Sequence, residues 1–111
     1  MAEVLPIERD LIPYTFDIVL SNVTYTFGIN YNSLTENLTV DLIRDGVNLV
    51  RGEKITLGIP LFEAVSHDSN GNRDSRFFNE LLVPYDFSNI ATNVTYNNIQ
   101  NQVFIWIMTR T

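Results

Sequence analysis

Tyr14-Thr-Phe-Asp-Ile-Val-Leu20, then Ser21-Asn22, then Val23-Thr-Tyr-Thr-Phe-Gly-Ile-Asn-Tyr31 is the stretch that decides the fold. Tyr14, Phe16, Ile18 and Leu20 fall on one face of an extended chain, with Thr15 and Asp17 between them. Val23, Tyr25, Phe27, Ile29 and Tyr31 repeat the pattern against Thr24, Thr26, Gly28 and Asn30. A period of two predicts two strands, each with one buried face. The short polar Ser21-Asn22 between them fits a two-residue hairpin turn.

The same reading extends outward. Asn32–Asn37 is a polar loop, and Leu38, Val40 and Leu42 mark a third strand. Asp45-Gly46 is the strongest turn signal in the chain, because a primed turn needs positive φ. Asn48–Arg51 reads as a short return strand stopped at Gly52, so a meander from Tyr14 to Val50 forms the first sheet. From Lys54 to Val65 the chain is β-rich but broken by Gly58 and Pro60, which predicts a bend, a bulge or an edge. Residues 66–76 form an exposed loop, and residues 1–12 an N-terminal arm. Phe77–Val83 suits a short helix or a strand, with an end expected at Pro84. A further short strand is expected at Val94–Tyr96. In Val103–Met108 both alternating sets are apolar, so this last strand is expected to be covered on both faces. No sustained helical period occurs. The expected fold is a single all-β domain over 1–111, a small antiparallel β-sandwich or partly open β-barrel of about six to eight strands.

Composition narrows function mainly by exclusion. The chain has 111 residues, seven Lys plus Arg against thirteen Asp plus Glu, a net charge of −6 and no Cys. Net negative charge disfavours binding to a polyanion, so no direct nucleic-acid recognition is expected. Absence of Cys removes disulfide scaffolds, thiol nucleophiles and thiolate metal sites. Met1-Ala-Glu-Val-Leu-Pro6 has no basic n-region and no apolar h-region, so no signal peptide is expected. Apolar runs such as Phe104–Met108 are far short of the roughly 20 residues that span a bilayer, so no membrane partner is expected.

Candidate chemistry is sparse. The single His67 stands in the polar loop beside Asp68, where a solvated residue is the simpler reading than a catalytic base. Asp17, Asp41 and Asp45 read as solvent-face or turn carboxylates. Asp68, Asn70, Asn72 and Asp74 alternate as oxygen ligands for Ca²⁺ would. The run departs from an EF-hand loop, which has Gly at the sixth place and Glu at the twelfth, and Arg73 adds a positive charge inside it. The three N-x-T sequons at Asn22, Asn37 and Asn93 suit a chain rich in Asn and Thr. Neither an enzymatic activity nor a cofactor is expected. A carbohydrate-binding β-module, calcium-assisted, is the alternative reading, resting on the aromatic residues and that loop.

The order of the segments carries more. Pro6-Ile7, Leu11-Ile-Pro13-Tyr-Thr-Phe16-Asp-Ile18, Val23-Thr-Tyr-Thr-Phe27 and Tyr31-Asn32 resemble the opening of the baseplate plug proteins of contractile-tailed cyanophages. The resemblance continues through Leu42-Ile-Arg-Asp45-Gly46, Leu49-Val50-Arg-Gly52 and Leu57-Gly58-Ile-Pro60-Leu61-Phe62, and returns in Val103–Met108. Pro13, Asp45, Gly46, Gly52, Gly58 and Pro60 are its structural positions. The resemblance implies a structural virion protein, made in the host cytoplasm, that closes the hub at the distal end of the tail tube. It implies contacts with other baseplate and hub proteins, the tape-measure or the spike, within a symmetric homo- and hetero-oligomeric assembly. Exposed β-edges and apolar termini are where such contacts are expected. Val4, Leu5, Ile7 and Leu11 are therefore candidate interface residues, with packing onto their own domain as the competing reading.

Overall fold

The structure is a computed structural model and describes residues 3–63, 65, 71–72, 74 and 76–108. Seven strands form two antiparallel sheets packed as a sandwich, with no closed barrel. The large sheet is the expected meander: β2 (Tyr14–Leu20), β3 (Val23–Asn32), β4 (Asn37–Arg44) and β5 (Val47–Lys54), side by side in chain order. The small sheet has the order β1 (Glu3–Val4), β7 (Phe104–Met108), β6 (Leu81–Tyr85).

Turn chemistry sets the register of the large sheet. Leu20 pairs with Val23 across Ser21-Asn22, whose φ values are 52° and 63°. Arg44 pairs with Val47 across Asp45-Gly46, at 53° and 76°. Both turns therefore hold positive φ at both central residues, matching the twist of the flanking strands. Between β3 and β4 the Asn32 side-chain oxygen accepts the amides of Leu34 (3.0 Å) and Thr35 (3.4 Å), closing the loop on itself. Register then puts Tyr31 opposite Leu38, Ile29 opposite Val40 and Phe27 opposite Leu42, with Tyr14 and Phe16 of β2 opposite Ile29 and Phe27, so one face of three strands is apolar throughout.

That face meets the small sheet through Leu82, Val103 and Ile105, with Leu5, Ile55, Leu61, Phe62, Phe78 and Ile99 between the layers. Aromatic rings form the centre: Phe27 lies 5.7 Å from Phe16, 6.0 Å from Phe62 and 6.1 Å from Phe78, and Tyr25 lies 5.3 Å from Phe78. Truncating a fully buried Phe to Ala in such a core costs roughly 3–5 kcal/mol, because the cavity left behind adds to the lost burial.

Several local expectations change. Gly52 does not stop β5; at φ +69° it sits in a bulge, and its amide donates to the Asp41 carboxylate at 2.6 Å. An extra residue on β5 is thus absorbed by positive φ and a side-chain acceptor. Pro84 does not end the chain's extended run but lies inside β6, opposite Ile105. It is tolerated because β6 is an edge strand and the proline nitrogen faces away from β7. No strand forms at Val94–Tyr96, where the chain makes turns that bury only Val94. The N-terminal arm, over its described part, packs on its own domain, as the self-packing reading expects: β1 pairs with β7, and the Leu5 amide donates to the Ile105 carbonyl at 2.9 Å.

Phe62 is buried at φ +65°, a conformation that bulky residues avoid. Its amide donates to the Glu53 carboxylate at 2.5 Å. Burial raises the pKa of Glu53 above its usual 4.5, while the Phe62 amide opposes that shift. A group whose pKa is raised on folding contributes stability that is full at low pH and is lost as pH rises through the folded value. Gln at this position keeps the acceptor and has no charge to desolvate. Glu53→Gln is therefore expected to melt above the wild type at pH 7, with the difference shrinking as pH is lowered toward 4. Thermal melts across that range check this; an offset independent of pH would contradict it.

Candidate docking face

The outer face of the small sheet is built by alternation. Val4, Trp106 and Val83 stand in one row across β1, β7 and β6; Phe104 with Tyr85 and Met108 with Leu81 form the flanking rows. Among the described residues, no charged residue occupies a position on this face. The large sheet differs: its outer face carries Thr15, Asp17, Thr24 and Thr26. Sheets that face water on one side alternate apolar and polar residues, so an apolar outer face is a departure from the ordinary pattern. The last strand was expected to be covered on both faces. Its second face instead stays half-exposed.

The loop after β6 extends this face. Asp86 is 4% exposed, and its carboxylate accepts the Ser88 hydroxyl (2.5 Å) and the amides of Ser88 (2.9 Å), Ile90 (3.1 Å) and Ala91 (2.8 Å). The Asn89 amide donates to the Asp86 carbonyl at 3.0 Å, and the Tyr85 hydroxyl reaches the Asn89 side chain at 3.2 Å. These donors, the Ser88 hydroxyl first and then the Ala91 amide, hold the Asp86 pKa at about 2. One buried carboxylate thus fixes a loop that holds Phe87 and Ile90 out at 59% and 69% exposure. Phe87 meets Tyr85 and Trp106 edge to face, each at 4.9 Å, and Phe104 lies 6.0 Å from Trp106. The Trp106 indole N–H donates to the Tyr85 carbonyl at 3.3 Å. Phe87, Ile90, Phe104 and Trp106 line a shallow depression with Asn101 and Gln102. Large apolar groups held outward by a satisfied polar anchor form a preorganised contact surface, which binds with little ordering cost.

The residues singled out from the sequence fall in different places. Val4 lies on this face. Leu5 and Ile7 do not; both are buried in the domain's own core, because β1 brings them against Ile105 and its neighbours. Leu11, in the short 3-10 turn Arg9–Leu11, is 55% exposed but stands on a separate segment from the three strands. Pro13 precedes β2 after a cis Ile12–Pro13 bond, and Asp45-Gly46 forms the hairpin turn described above. Gly58, at φ +79°, donates its amide to the Pro84 carbonyl at 2.7 Å, and Pro60 lies between it and the Leu61 amide, which donates to Leu82.

Of the calcium candidates, Asp68 and Asn70 lie outside the described residues, as does His67. Asn72 and Asp74 are described, and Asp74 is engaged by Arg76, whose guanidinium approaches to 2.6 Å and holds the carboxyl at about 2. Among the described residues, no group of three or more acidic or histidine side chains is placed to hold a metal ion. The outer-face carboxylates bond within the sheet: Asp17 accepts the Thr26 hydroxyl at 2.6 Å, and Asp41 accepts the Gly52 amide. No helix among the described residues is long and apolar enough to cross a membrane.

Sequence reading offers Tyr85 and Trp106 as accessible aromatics but misses Phe87, Ile90 and Phe104 as surface residues. Two signals were present: the doubly apolar last strand, and Asp86-Phe-Ser88, the spacing of an Asp that caps its own turn.

The fold and site define a small β-sandwich with a half-exposed apolar face that is uncharged among the described residues. A family model described as cyanophage baseplate Pam3 plug gp18 matches residues 1–110, and the chain belongs to that family of baseplate plug proteins. No curated protein matches the chain.

Because the Asp86 pKa is depressed on folding, its contribution to stability is present above the usual carboxylate value of 3.8 and is lost as pH falls toward 2. Asp86→Asn is expected to remove that acid dependence and to speed hydrogen exchange of the Ser88, Ile90 and Ala91 amides at pH 7. Unchanged exchange at these amides would show that the loop does not depend on the carboxylate.

Proposed function

We propose that this protein is a non-enzymatic part of the tail baseplate, closing the hub at the distal end of the tail tube and held there through the outer face of its small sheet. The carrying observation is the pairing of baseplate-plug family membership with a rigid aromatic face that the chain leaves half-exposed. Aromatic residues on a fixed support are what central positions of protein interfaces favour. Hub proteins, the tape-measure and the spike are the neighbours such a position offers. The net charge of −6 supports the reading, since a part beside the DNA exit path must not retain DNA. A Cys-free chain also suits folding in a reducing host cytoplasm before incorporation.

The test is replacement of the protruding pair, Phe87→Ser with Ile90→Ser. Both side chains are largely exposed, so fold stability is expected to change by no more than about 1 kcal/mol. Quantitative mass spectrometry of purified tails is expected to find wild-type protein in the baseplate and the double variant depleted about tenfold, equivalent to ~1.4 kcal/mol of docking energy. Absence of the wild-type protein from tails would sink the reading. Full incorporation of the variant would remove this face from it.

A further inference from the structure

Two open sheets present four edge strands, and three of the four are blocked. β1 is only two residues long. The outer edge of β6 is covered: its Leu82 and Pro84 carbonyls accept the amides of Leu61 (2.8 Å) and Gly58 (2.7 Å), and Pro84 has no N–H to offer. β5 is bulged, with register shifts opposite Val40–Leu42 and Leu42–Ile43 and Gly52 at φ +69°. Short strands, covering segments, prolines and bulges are the devices that keep edges from pairing.

Among the described residues, β2 has none of them. It pairs with β3 in unbroken register from Tyr14–Ile29 to Leu20–Val23, with no Gly, Pro or Lys inside it. Leu20 and Val23 flank a two-residue turn and so form the mutually hydrogen-bonded pair. Alternation then points the N–H and C=O groups of Thr15, Asp17 and Val19 away from β3. All three residues are exposed, Val19 at 61%, and among the described residues these backbone groups have no partner.

We infer that the outer edge of β2 accepts an extended segment of another baseplate polypeptide by strand addition, making a fifth strand of the large sheet. This rests on the baseplate reading. The geometry sets the chemistry of the incoming strand. Opposite Asp17 it carries a basic or hydroxyl residue, because Asp17 is an exposed carboxylate whose Oδ1 accepts the Thr26 hydroxyl at 2.6 Å while, among the described residues, its Oδ2 accepts no bond. Its opposite face is apolar, continuing the row of Phe16 and Ile18. A second copy of this chain is a poor occupant. The antiparallel register that overlaps two β2 strands fully sets Asp17 against its own copy, and each copy carries −6. The main-chain bonds supply the binding and the alternating side chains the selectivity.

Val19→Pro tests this, because it deletes an outward N–H while leaving every bond to β3 in place. The expected result is a variant that melts close to the wild type but is depleted about tenfold from purified tails in which wild-type protein is present. Hydrogen exchange of the segment 14–20 in wild-type protein gives a second measurement that needs no variant. The Thr15, Asp17 and Val19 amides are expected to exchange quickly in the isolated protein and about 100-fold more slowly in tails. Wild type present, with no added protection at these amides, overturns the inference alone. Full incorporation of a folded Val19→Pro does the same. Wild type absent from tails overturns the inference together with the baseplate reading.

Discussion

Phe27 is fully buried, and Phe16, Phe62 and Phe78 each place a ring within 6.1 Å of it. Phe16 and Phe27 belong to the large sheet, Phe62 to the segment that runs on to cover the edge of β6, and Phe78 to the approach to β6. The contact of these four rings is therefore where the meander, the covering segment and the small sheet are held together. The rest follows from it. Phe62 must take a left-handed backbone to reach this site, and Glu53 is drawn in to satisfy the amide that the conformation leaves exposed. Once Phe62 is seated, Gly58 and Leu61 lie along β6 and donate to it. A domain of this size has room for one such centre, and a single core has to serve both layers.

The inner face spends its aromatic residues on cohesion; the outer face of the small sheet uses them differently. Tyr85, Phe87, Phe104 and Trp106 stack edge to face in the half-exposed layer, and Asp86 beneath them takes four hydrogen bonds. What a plug needs is a surface that is already in its bound shape and a body that does not deform when a neighbour seats on it. The two sheets divide these tasks. The large one carries hydroxyls and carboxylates outward, and the small one carries the apolar face.

The large sheet was legible from the sequence because its signals are local. Alternation from Tyr14 to Leu42 and the turn residues Ser21-Asn22 and Asp45-Gly46 act within a few residues of one another. The small sheet was less so. It joins β1 to β7 from opposite ends of the chain, and no local pattern encodes that pairing. Pro84 inside a strand is explained only by its edge position, which is a tertiary fact. Gly52 looked like a stop because its positive φ is usually found in turns, and here it serves a bulge. The docking face was half-visible. The doubly apolar Val103–Met108 signals a strand covered on both faces, and sequence alone does not say whether its own chain or another supplies the cover. Leu5 and Ile7 were the reverse case: apolar residues near a terminus that the fold claims for its core.

The central claim is that this chain works by position, as a part seated in the baseplate through the small sheet. An electron-microscopy map of the intact tail tests that most directly. The account predicts density for this seven-stranded sandwich at the distal end of the tube, with Phe87, Phe104 and Trp106 against a neighbouring protein. A map with no such density in the baseplate, or with that face open to solvent, would contradict it.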